Sequence, residues 1–137
     1  IAKQARNLGI KAQIVGADGW DGATSVAGND ASAIEGVIFI NQYSPDMESV
    51  QDIMKKYKEK FGTDINSFGI NAYDSTMLLL QTIEKAGSLK ASDIVKGIAS
   101  TDYKGILGSI SFDSNGDPIK EPVFVQIKND QYTTYKK

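Results

Sequence analysis

The stretch Tyr103-Lys104-Gly105-Ile106-Leu107-Gly108-Ser109-Ile110-Ser111-Phe112-Asp113-Ser114-Asn115-Gly116-Asp117 marks a change of character in a chain of 137 residues. Ile106 to Phe112 alternates apolar and small or polar residues, which predicts a strand. Asp113-Ser114-Asn115-Gly116-Asp117-Pro118 is dense in turn formers. Asp113, Asn115 and Asp117 place oxygens at alternate positions, as a calcium loop does. The glycine comes one residue early and no glutamate closes the loop, so a turn between strands is the better reading. Beyond it, Val123 to Ile127 reads as a strand, with Asn129-Asp130 turning into a short final strand, Tyr132 to Tyr135.

Upstream, the pattern is helical. Met47, Val50, Ile53, Met54, Tyr57 and Phe61 form one stripe, opposite a solvated Lys55, Lys56, Lys58, Glu59 and Lys60 face, and Gly62 ends the helix. A second helix is expected from about Asn71 to Ala86, closed by Gly87. Tyr73, Met77, Leu80 and Ile83 mark its buried face, widened by Ala72 and Leu79. A third covers about Ala91 to Ala99, with Ile94, Val95 and Ile98 inward. Further back, Gly36 to Ile40 is a strong strand, and Ala12 to Val15 reads as a buried one. Residues 23 to 35 have room for a short helix. Ile1, Ala5 and Leu8 recur at helical spacing before Gly9, so the sequence reads as opening inside a helix, as the tail of a longer protein.

Composition narrows function. The apolar and charged fractions, 41% and 23%, are those of a globular domain. A net charge of -2 provides no basic field for nucleic acid or anionic lipid. Cysteine and histidine are absent, which removes thiolate metal sites, nucleophile–imidazole dyads and the usual general base. Catalysis would have to run on carboxylates, Lys or Tyr.

Alternating strands and helices with a β-rich end predict an α/β protein. In that class ligands collect beyond the carboxyl ends of strands. Gly16-Ala17-Asp18-Gly19-Trp20-Asp21-Gly22 follows such a strand, and holds two carboxylates and the single tryptophan. It has two readings, a glycine-rich turn with capping aspartates or a binding loop. Asp18 and Asp21 also allow a small carboxylate-based hydrolase, although their spacing says nothing of the separation that chemistry demands.

The order of helix, strand, GADGWDG, Ala33-Ile34-Glu35-Gly36-Val37, and the Tyr73-Asp74 helix ending Lys85-Ala86-Gly87 resembles the type I periplasmic-binding-protein family. The Tyr103–Asp117 stretch is similar to that family's G-x-G-x-I-x-F-D-x-x-G-D segment, and the closest branch is the receptor of branched-chain amino-acid ABC transporters. The resemblance implies a two-lobed clamshell of parallel sheets flanked by helices. Residues 1–42 would belong to the carboxy-terminal lobe, 43–118 to the amino-terminal lobe, and 119–137 to the carboxy-terminal lobe again. It implies an extracytoplasmic, lipid-anchored or periplasmic receptor with no cofactor. That receptor would capture a small aliphatic amino acid and pass it to a permease. A ligand-sensing domain of the same fold is the near alternative.

The resemblance also assigns residues. Asp18 matches the acid that pairs with the ligand's ammonium, where the branch often carries glutamate, and Gly19 lets the backbone approach the ligand. Trp20 would line the pocket or brace the hinge. Phe68, in the loop Asn66-Ser67-Phe68-Gly69, would form an aromatic wall or ordinary core. The isolated chain, lacking the sheet its helices cover and with Val37 to Ile40 as an unpaired edge, is expected to self-associate.

Overall fold

The computed structural model describes residues 1–136. In chain order it contains α1 (Ala2–Asn7), β1 (Val15–Gly16), a 3-10 turn (Asp18–Trp20), α2 (Ala23–Ala27), α3 (Ala31–Ile34) and β2 (Ile38–Asn41). There follow α4 (Glu48–Phe61), α5 (Ser67–Ala86), α6 (Ala91–Ala99), β3 (Tyr103–Gly105) and β4 (Gly108–Phe112). The chain finishes with β5 (Pro118–Ile119), β6 (Val123–Lys128) and β7 (Gln131–Thr134). Two compact units result, Ile1–Gln51 with Pro122–Lys137, and Asp52–Glu121.

The first unit is a four-stranded sheet in the order β1-β2-β6-β7. β1 runs parallel to β2, whereas β6 is antiparallel to both β2 and β7. The sheet is therefore mixed, not parallel throughout. Side chains alternate across a strand, so Val37, Phe39, Val125 and Ile127 share one face and form the core with Ala2 and Ile34. Ile40 and Phe124, at the intervening positions, remain exposed. The expected turn at Asn129-Asp130 is present, both residues holding positive φ, 51° and 60°, the conformation of a two-residue hairpin.

Two strand expectations are corrected. The strand expected at Ala12 to Val15 shrinks to Val15–Gly16, with Val15 71% exposed. Val15 pairs with Ile38, on the face of the sheet opposite the core, where Ile40 and Phe124 are exposed as well. Val37 to Ile40 is not an unpaired edge: β2 lies between β1 and β6. Its apolar run earns the most enclosed place in the sheet, leaving β1 and β7 as the edges.

The second unit packs α5 against α6 and a three-stranded sheet in the order β3-β4-β5. α5 begins at Ser67, earlier than expected, because Asn66 caps it: its Oδ1 accepts the Gly69 amide at 3.0 Å. Phe68 therefore sits in the first turn of a helix and not in a loop. The helix ends at Gly87, whose left-handed φ of 59° lets its amide reach Ile83 and Glu84 carbonyls.

The buried face of α5 is also corrected. Ile70, Asp74 and Thr82 are enclosed, whereas Tyr73, Leu79 and Leu80 are exposed. On α6, Val95 is exposed while Ile94 and Ile98 are half-buried. The helix turns toward the groups that satisfy Asp74, which apolar periodicity alone does not register.

Asp74 is the polar centre of this unit. Its carboxylate accepts from Tyr103 Oη at 2.9 Å, Ile106 N at 3.0 Å and Leu107 N at 3.2 Å. Gly105 is required beside it, since a methyl group there would run into the Asp74 carboxylate and the Tyr103 ring. The turn before β5 is simpler. Asp113 Oδ1 accepts the amides of Asn115 and Asp117 at 2.8 and 2.9 Å, as turn chemistry requires.

Candidate binding loop

The loop after β1 is built on its own strand. Gly16 ends β1 opposite Phe39, and a Cβ at Gly16 would collide with the Trp20 indole. Only glycine lets the ring lie there. Trp20 N donates to Ala17 O at 3.2 Å and Asp21 N to Asp18 O at 2.9 Å, closing the 3-10 turn.

Within that turn the candidate residues divide. Asp18 and Gly19 form an exposed tip. The Asp18 carboxylate has no hydrogen bond or ion pair among the described residues, and a Cβ at Gly19 would meet nothing within 4 Å. Trp20 is half-buried and packs on the core cluster of its unit. Phe68 stands in the other unit, 82% exposed on the first turn of α5, so it is not core.

Sequence reasoning missed the aromatic groups beneath the loop. Tyr132 on β7 accepts the Thr24 amide at 3.0 Å through its hydroxyl, which also donates to Trp20 O at 3.4 Å. Its ring meets Phe39 edge to face, 5.7 Å between centroids. Tyr43 is buried nearby. Burial pushes its hydroxyl up to about 12, and the charges of Asp21 and Tyr132 add to the effect. These partners lie 108 and 112 positions from Tyr132, so no local pattern announces them.

Tyr103, in the second unit, is likewise raised to about 12, by burial and then by its hydrogen bond to Asp74. A raised phenol pKa means that folding favours the neutral form. This contribution is whole below the ordinary value of 10 and is lost as pH rises through 12. Alkaline titration followed by phenolate absorbance should show two late ionisations near 12, one removed by Tyr43→Phe and the other by Tyr103→Phe. Each substitution should also weaken the fall of stability between pH 10 and 12. If both phenols ionised near pH 10, the burial argument would fail.

Among the described residues no group of three or more acidic side chains is placed to hold a metal ion, and no helix is long and apolar enough to cross a membrane. The loop presents two carboxylates with no hydrogen bond or ion pair among the described residues, Asp18 at the exposed tip and Asp21 half-buried behind it. Such groups suit a cationic partner.

The model for the family described as periplasmic binding protein matches residues 1–132. The chain belongs to that family. The chain is 30% identical over 128 residues to Leu/Ile/Val-binding protein homolog 2 of Brucella abortus strain 2308, covering 89% of the chain and 33% of that protein. Its fold is similar to a crystal structure of the leucine-binding protein LivK of Thermotoga maritima, with a TM-score of 0.81 and 32% identity over 98% of the chain and 39% of LivK. The branched-chain amino acid transporter substrate-binding protein LivJ of Streptococcus pneumoniae, crystallised with isoleucine, shares the fold at a TM-score of 0.77 and 24% identity. That match covers 98% of the chain and 40% of LivJ. The chain spans about a third of the length of the Brucella relative. The mixed α/β architecture and the recognition from sequence agree with these likenesses.

Proposed function

We propose that the chain is part of an extracytoplasmic solute-binding receptor that captures a small aliphatic amino acid, of the branched-chain class, for an ABC importer. The observation that carries this reading is the unpaired Asp18 carboxylate at the exposed tip of the turn beyond β1. It is supported by kinship with proteins named for binding leucine, isoleucine and valine. Asp18 receives the ligand's ammonium, Gly19 lets the main chain approach, Trp20 anchors the loop, and Phe68 contributes apolar surface for the side chain. The receptor performs no chemistry and uses no cofactor, and a permease receives its cargo. Residues 1–42 and 119–137 are assigned to one lobe and 43–118 to the other.

An ammonium withdrawn from water needs a charged acceptor, and such a hydrogen bond contributes about 1.5–3 kcal/mol. Asp18→Ala in the intact parent protein should therefore weaken leucine, isoleucine or valine binding by roughly 10- to 150-fold in calorimetry. Unchanged affinity would sink the assignment. Recovery of a chemically altered amino acid after incubation would overturn the receptor reading in favour of catalysis. Alone, the 137-residue chain exposes Ile40, Phe124, Leu79 and Leu80, and we assign it a tendency to self-associate.

A further inference from the structure

The tip of the binding loop is exposed, but its base is held by a residue from the far end of the chain. Thr24 lies in the first turn of α2, where amides have no partner within the helix. Gly22, the residue before that helix, supplies no capping side chain. The Tyr132 hydroxyl takes the Thr24 amide instead and donates its own proton to Trp20 O. One oxygen thus joins the end of the 3-10 turn to the start of α2, closing the segment Trp20–Thr24. The hydroxyl is itself held in place, because its ring packs on Phe39, which is 1% exposed. Trp20 is seated separately over Gly16.

We infer that Tyr132 is a positioning residue for ligand capture: it fixes the loop from below so that its exposed tip, Asp18 and Gly19, is held ready to meet the ligand. This rests on the assignment of Asp18 as the ammonium acceptor. A charged acceptor that must be ordered at the moment of binding gives up affinity to that ordering, and a tethered base reduces the loss.

Tyr132→Phe keeps the ring and its contact with Phe39 while removing both hydrogen bonds. Three measurements on the intact parent protein test the inference. In hydrogen exchange without ligand, the Thr24 amide should exchange roughly tenfold faster in Tyr132→Phe, while the Ile127 and Val37 amides keep their protection. Affinity for leucine should fall about 3- to 10-fold. The decisive measurement is the double variant with Asp18→Ala. If Tyr132 acts through Asp18, adding Tyr132→Phe to Asp18→Ala costs no further affinity. Additive losses would show general destabilisation and overturn the inference, as would unchanged Thr24 exchange or unchanged affinity in the single variant. The Asp18→Ala arm separates the two ideas. Weakened binding there with full affinity in Tyr132→Phe ends the positioning role and leaves the receptor reading standing. Full affinity in Asp18→Ala ends both.

Discussion

Asp74→Ala is expected to lower the stability of the second unit by about 3–5 kcal/mol, because it removes the acceptor of three hydrogen bonds at once. The Tyr103 hydroxyl and the Leu107 amide are both buried. Without the carboxylate they have lost water and gained no replacement. Truncation also leaves a hole between α5 and the turn joining β3 to β4, which adds a packing loss. Lys120 is near enough for the Asp74 charge to offset part of the burial that depresses its ammonium, and that support goes too. Asp74→Asn should cost less, since its amide oxygen still accepts on one side while its NH2 group opposes a donor on the other. Denaturant unfolding followed by amide exchange along Ile70–Thr82 would measure both variants. A loss below about 1 kcal/mol for Asp74→Ala would mean that water replaces the carboxylate without penalty.

Phe39→Ala should have a comparable effect on the first unit, about 3–5 kcal/mol. Phe39 sits at the centre of β2, packed with Val37, Val125 and Ile127. It also meets Tyr132 edge to face, a geometry worth about 0.5–1.5 kcal/mol beyond burial. Because Tyr132 in turn holds the loop, the alanine variant should loosen Trp20 as well as the core. The single tryptophan reports both effects: the unfolding midpoint should fall, and native Trp20 emission should shift to the red. Phe39→Leu, which refills much of the volume, should recover most of the stability but not the edge-to-face contact. If the alanine variant lost less than about 1 kcal/mol, Phe39 would not be the centre of this core.

The apolar run around Phe39 marks a strand, and turn chemistry marks the hairpin at Asn129-Asp130. The ends of α4 and α5 were marked by Gly62 and Gly87. Each of these depends on residues a few positions apart. The start of α5 was missed because Asn66-Ser67-Phe68-Gly69 has loop composition, yet an asparagine cap outweighs one unfavourable glycine. Its buried face was missed because Asp74 counts as polar in any periodicity, although three donors make it the most enclosed acid of its helix.

What the sequence by itself determined was the type and approximate extent of most elements, the α/β class, the family resemblance, and the loop GADGWDG at the end of a strand. Those follow from spacing, cap and turn residues, and short-range motif order, all encoded locally. Only the tertiary structure decided that β2 is central and β1 an edge, that Asp74 is a buried acceptor, and that Tyr132 braces a loop more than a hundred positions away. Such pairings are chosen by which long-range contacts bury apolar surface while leaving no donor unsatisfied. Many partners satisfy the local pattern equally well, and the packed chain selects among them.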